Sequence, residues 1–169
     1  MSIYLNIPPH LTQINQWRSI TTLLLDWIFI ISSFAATIYF PHPVVYLVAA
    51  ILIARTQLAL AVLMHESAHR TFLKNKKIND FFGQVFAAAP LMFSLFSYRG
   101  GHLEHHRDPM AANDPVAVVF GITDYPVNQK ELVWRLLKDL VGISYFLTIR
   151  DFSKGKFSHL AVNDKKEKW

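Results

Sequence analysis

Cysteine is absent from all 169 residues. That excludes disulfides, thiolate metal sites and a cysteine nucleophile, so any bound metal must be held by histidine and carboxylate. Charge is also scarce. Asp, Glu, Lys and Arg make up 17% of the chain, against roughly 25% in an average soluble domain. The basic residues form no face with interleaved aromatics, which argues against nucleic acid as a partner. Residues 1–19 hold one Lys or Arg, Arg18, and the apolar run beyond is too long for a signal core, so no cleaved signal is expected. Repeats and low-complexity stretches are missing too. What is present is a chain 52% apolar and 14% aromatic, with net charge +5 and a length that suits one domain.

Two apolar runs dominate the first half, at about residues 20–40 and 44–64. Each has about 20 residues, which as a helix is about 30 Å, the thickness of a bilayer core. Only Pro41, His42 and Pro43 join them, so a tight antiparallel hairpin is expected. The turn lacks Lys and Arg, whereas Arg70, Lys74, Lys76 and Lys77 follow the second run. The positive-inside rule then puts the far end of the hairpin in the cytoplasm. Each run carries one charge at similar depth, Asp26 and Arg55. Charges in a membrane helix are costly unless paired, so a structural charge pair across the hairpin is expected. A third apolar segment, residues 82–98, contains Pro90 and reads as interfacial or re-entrant, broken near that proline. A fourth, residues 132–149, reads as amphipathic first and embedded later. The expected fold is all-α: an integral membrane helical hairpin plus interfacial or re-entrant helices. Residues 1–19 form a cytoplasmic N-terminal segment, 20–149 the membrane domain and 150–169 a polar tail.

Five of the eight histidines fall in two short boxes, HESAH at 65–69 and HLEHH at 102–106. His65 and His69, offset by four, share one helix face, as His102, His105 and His106 can. Such clustering points to metal ligation by neutral imidazoles, which suit Fe, Cu, Zn and Ni. His10, His42 and His159 stand alone and are read as ordinary structural histidines. HESAH also matches H-E-x-x-H, the zinc-protease pattern with a glutamate general base. One catalytic zinc takes three protein ligands, which leaves the HLEHH histidines surplus. The stretch after His69 has no metzincin spacing either.

The two boxes at the end of a helical hairpin, about thirty residues apart, resemble the first two histidine boxes of the membrane fatty acid desaturase and hydroxylase superfamily. The ANDP stretch at 112–115 is similar to the segment that trails the second box in bacterial desaturases. The match covers about residues 20–120. The resemblance implies a non-haem di-iron centre at the cytoplasmic membrane face. It implies O2-dependent dehydrogenation of a lipid or acyl substrate, with electrons from ferredoxin or a cytochrome b5-like donor. Its iron ligands would be His65, His69, His102, His105 and His106. Glu66 stands where many desaturases have Asp, and its expected role is a hydrogen bond that orients an imidazole. The same is weaker for Glu104. Asn113 and Asp114 are expected to form a turn before Pro115.

A third histidine box, which the superfamily uses, is not found in the chain. The expectation is therefore an N-terminal portion of a desaturase, inactive alone, with a second chain carrying the missing box as its partner. Two alternatives are a membrane-embedded H-E-x-x-H zinc metalloprotease and a non-catalytic desaturase remnant.

Overall fold

A computed structural model describes residues 13–111 and 113–154. His10, His159 and the tail beyond residue 154 lie outside the described residues. Among the described residues every regular element is helical. The chain divides into two compact units, Met1–Phe96 and Ser97–Trp169.

The first unit is built on a helical hairpin. Helix α1, Gln16–Tyr39, opens where the Asn15 side chain accepts from the Arg18 N–H at 3.1 Å, satisfying one of the free donors of a first turn. Helix α2, Pro43–Ala68, opens on a proline whose missing N–H costs nothing at that position. His42 caps it, its Nδ1 accepting from the Val44 N–H at 3.3 Å. Both helices are long and apolar enough to cross a membrane. They exceed the apolar runs because their polar ends, QWRS and HESA, keep the helical hydrogen bonding.

Leu23, Asp26 and Ser33 of α1, and Ala49, Thr56, Leu60 and Leu63 of α2, are buried. Their spacings of three, four and seven mark one stripe on each helix. Small side chains at Ser33 and Ala49 let membrane helices approach closely. Arg55 Nη1 donates to Asp26 Oδ1 at 3.1 Å, and the guanidinium lies over the Phe29 ring. The other faces carry exposed Leu24, Ile28, Ile31, Leu47, Ile51 and Leu58. Such a surface suits lipid and would be a liability in water.

After α2 the chain turns into α3, Lys76–Phe82, capped by Asn75. The helix widens into a π-helical turn at Gly83–Ala88 and tightens into a 3-10 turn at Ala89–Leu91. Pro90 has no N–H to give the Phe86 carbonyl, as an α-helix would require. The Trp27 indole of α1 donates to that carbonyl at 3.1 Å. The break itself comes at residues 92–94, just past the proline, with Met92 in the left-handed region at φ 60°. Gln84 spans it: Oε1 accepts from the Leu95 N–H at 2.9 Å and Nε2 donates to the Phe93 carbonyl at 3.4 Å. Helix α4, Leu95–Arg107, follows. Such a broken pair is either a broken span or a re-entrant segment.

The second unit holds most of α4, then α5 (Pro115–Val119), α6 (Gln129–Leu140) and α7 (Ile143–Ser153). The apolar segment at 132–149, read as one element, is two helices. Gly142 takes φ 77°, where a side chain would be strained, and its N–H bonds to the Asp139 carbonyl. This closes α6 in the manner of a glycine C-cap.

Candidate metal centre

His65 lies in the last turn of α2, and His69 is its C-cap. Beyond it the helix is closed by two backbone bonds, Arg70 N–H to Ser67 O at 3.1 Å and Thr71 N–H to Glu66 O at 3.0 Å. These are the paired bonds of a Schellman motif, with Arg70 at φ 60° where glycine is usual. A side chain there costs about 1 kcal/mol. Arg70 Nη2 lies 3.7 Å from Asp80 Oδ2, which ties the strained residue down. Asn79, fully buried, completes the closure. Its Nδ2 donates to Ser67 O at 2.9 Å, and its Oδ1 accepts from the Leu73 N–H at 3.1 Å. Gly83 packs on the same turn. A Cβ there would stand 2.4 Å from the Ser67 Cβ. The result fixes the His65 and His69 rings with centroids 4.8 Å apart and ligand nitrogens within 4.8 Å of each other.

Glu66 is exposed, and its Oε2 accepts from the Thr71 hydroxyl at 2.6 Å. Glu104 pairs with Arg107 one turn on.

The second box rides on α4. His102 is buried and stacks on Tyr98 with centroids 5.1 Å apart. His106 Nε2 lies 3.0 Å from His102 Nε2, with the rings nearly perpendicular. Two nitrogens bound about 2.1 Å from one metal at a right angle would be about 3.0 Å apart, so this pair fits a shared ion. His105 is turned to a different partner. Its Nδ1 lies 2.7 Å from Asp114 Oδ2.

Asp114 is buried and accepts four hydrogen bonds. Besides His105, Oδ2 takes the Met110 N–H at 2.9 Å, while Oδ1 takes Val116 N–H at 3.0 Å and Ala117 N–H at 3.3 Å. Burial alone would raise its carboxyl. The bond from His105 and the three backbone N–H groups outweigh burial and hold it at about 2, against an ordinary 3.8. A carboxylate on Nδ1 keeps the proton there and leaves the Nε2 lone pair of His105 for a metal, the usual support of a ligating histidine.

Asp114 is therefore both the N-cap of α5, as its place before Pro115 suggests, and an anchor for His105. The cap is legible in the sequence as Asp-Pro ahead of an apolar stretch. The contact with a histidine nine residues earlier is not. Asn79 carries no sequence signal beyond being polar in a short helix.

Residues 41–166 match the family model described as fatty acid desaturase. Among curated proteins, the chain is 39% identical over 61 residues to the dihydrorhizobitoxine desaturase of Bradyrhizobium elkanii. That stretch is 36% of this chain and only 17% of the relative. No solved structure matches. The chain belongs to the fatty acid desaturase family.

Proposed function

We propose that this chain supplies the first two histidine boxes of an O2-dependent acyl desaturase acting at the cytoplasmic face of a membrane. The observation that carries the reading is the pairing of imidazoles in each box. His65 with His69 and His102 with His106 each offer two donor nitrogens, and Asp114 prepares His105 to add another. In this reading the boxes close on one centre, the broken segment between them re-enters rather than crosses, and the acyl chain lies along the membrane helices. Iron held by these imidazoles would supply the O2 activation needed to remove hydrogen from an unactivated C–H bond. Electrons would come from ferredoxin or a cytochrome b5-like protein.

Five box imidazoles fall short of the ligands two irons require. The remaining ligands would come from a further polypeptide stretch, in this protein or in a partner, and this chain alone would turn over little or no lipid. Family membership supports this reading over a zinc protease, and the engagement of Glu66 by Thr71 gives no support to a general base there. The test is metal content and lipid composition of membranes that express the 169-residue chain. Iron below two per chain, lost in His65→Ala and His102→Ala, is expected, with no new double bonds. Two irons per chain and desaturation unaided would overturn the need for further ligands. Zinc with proteolysis lost in Glu66→Gln would overturn the family chemistry itself.

A further inference from the structure

Helix α6 is inverted relative to a helix of a soluble protein. Leu132, Val133, Leu136, Leu137 and Leu140 fall on one face by helical spacing, and all are exposed, Leu140 at 82%. The polar face is the one engaged with protein. Arg135 bonds to Glu131 at 2.8 Å and to the Gly121 carbonyl at 3.4 Å, and lies over the Tyr125 ring. At the edge of the apolar face stands Trp134, 60% exposed, with Lys130 four residues before it and Lys138 four residues after. The three side chains form one stripe, an indole between two ammonium groups.

We infer that α6 lies in the plane of the membrane surface, its leucine face sunk into the acyl boundary and Lys130 and Lys138 among anionic headgroups. The helix has 12 residues, about 18 Å, too short to cross a bilayer but long enough to lie on one. Tryptophan favours the boundary between acyl chains and headgroups. Lysines beside it can run their stems along apolar surface and hold their charge among phosphates. That stripe favours lipid over a protein partner, since lysine is depleted in protein interfaces. The hairpin α1–α2 supplies the membrane. The inference is independent of metal and of catalysis.

The absence of native cysteine makes the test direct. Single cysteines replace residues 131–140 one at a time in the full chain. Each is nitroxide-labelled and reconstituted in bilayers of phosphatidylcholine with phosphatidylglycerol. Collisions with O2 and with a water-soluble nickel complex are then measured by electron paramagnetic resonance. The expected result is O2 maxima at 132, 133, 136, 137 and 140, about 5–10 Å below the phosphates, and nickel maxima at 131 and 138, on the opposite side of the helix. A label at Leu58, an exposed position on α2, gives the reference for a spanning helix and reports separately on the hairpin. Nickel access to the leucine face, or shielding of that face from both reagents by a second copy or another protein, would overturn the inference. Lys130→Glu with Lys138→Glu is expected to raise the Leu136→Cys label toward water in the anionic bilayer and not in pure phosphatidylcholine. The same depth in both would overturn the headgroup contact.

Discussion

His65 and His69 ride on the end of a 26-residue helix, while His102, His105 and His106 ride on one of 13 residues. Spacings of three and four residues bring rings together in both, yet the supports differ in kind. The first box inherits its position from a long helix packed on α1, closed by backbone bonds, by the Asn79 amide and by the close approach of Gly83. In the second box Tyr98 stacks on His102, while His105 is held by one carboxylate. Asp114 orients His105, caps α5 and holds the Met110 turn at once. The first box is held by several contacts on one helix end, whereas His105 in the second turns on Asp114, so equal mutations should not have equal effects.

The largest effect is expected at that point. Asp114→Ala strips the acceptor from one imidazole and three backbone N–H groups, with an expected cost of about 3 kcal/mol in stability. Metal affinity should fall about 10–100-fold. Asp114→Asn separates the two roles. Asparagine caps a helix nearly as well as aspartate but is no anion for His105. Stability should then fall less than in Asp114→Ala, because the amide oxygen still accepts from Val116 and Ala117 while the NH2 cannot accept from Met110. Metal affinity should still be lost. Cobalt titration of the purified chain, with unfolding by SDS in mixed micelles, measures both. Equal affinity in Asp114→Asn and the parent would show that His105 needs no anchor.

In the first box, Asn79→Ala leaves the Leu73 N–H and the Ser67 carbonyl without that amide, at an expected cost of about 2 kcal/mol. Because the Schellman bonds remain, the loss of metal affinity should stay within about tenfold, smaller than for Asp114→Ala. A loss as large as at Asp114 would erase the contrast. Gly83→Ala places a Cβ against Ser67 and should cost about 1–3 kcal/mol by overpacking. Ser67→Gly in the same chain should restore most of it. Failure of that rescue in the same micelle assay would mean that the glycine serves backbone freedom rather than the helix contact.

The elements that follow from local periodicity were legible in the sequence: the hairpin, its Pro-His-Pro turn, and the pairing of histidines at helical offsets. Those that depend on a distant partner were not. The break expected near Pro90 falls at residues 92–94 because Trp27 of α1 and Gln84 settle the carbonyls and N–H groups around it. The fourth segment divides because Gly142 takes a positive φ; apolar content alone does not reveal that. Glu66 reads as a neighbour of the imidazoles, and its bond from the Thr71 hydroxyl, five residues on, is a contact the sequence does not reveal. Asp114 shows the same limit from the other side. Its capping role is written in the Asp-Pro dipeptide, and its hold on His105 is written only in three dimensions.

The smallest effect is expected far from both boxes, at Asp26 and Arg55. Asp26 is buried, whereas the Arg55 side chain is 62% exposed, so one partner is fixed by packing and the other by the bond itself. Hydrogen bonds between membrane helices contribute about 0.6–1.7 kcal/mol. The coupling in a double-mutant cycle on Asp26→Asn and Arg55→Gln should lie in that range, read from SDS unfolding. Simple additivity would remove the pair as a stabilising contact. Metal affinity should be unchanged in either variant. The hairpin has its own inter-helix contacts around Thr56, Leu60 and Leu63, and the α2 terminus is closed locally by Asn79. If cobalt binding nevertheless fell with the charge pair, the redundancy assigned to the first box would be wrong, because its position would depend on one bond in the membrane as that of His105 depends on one carboxylate.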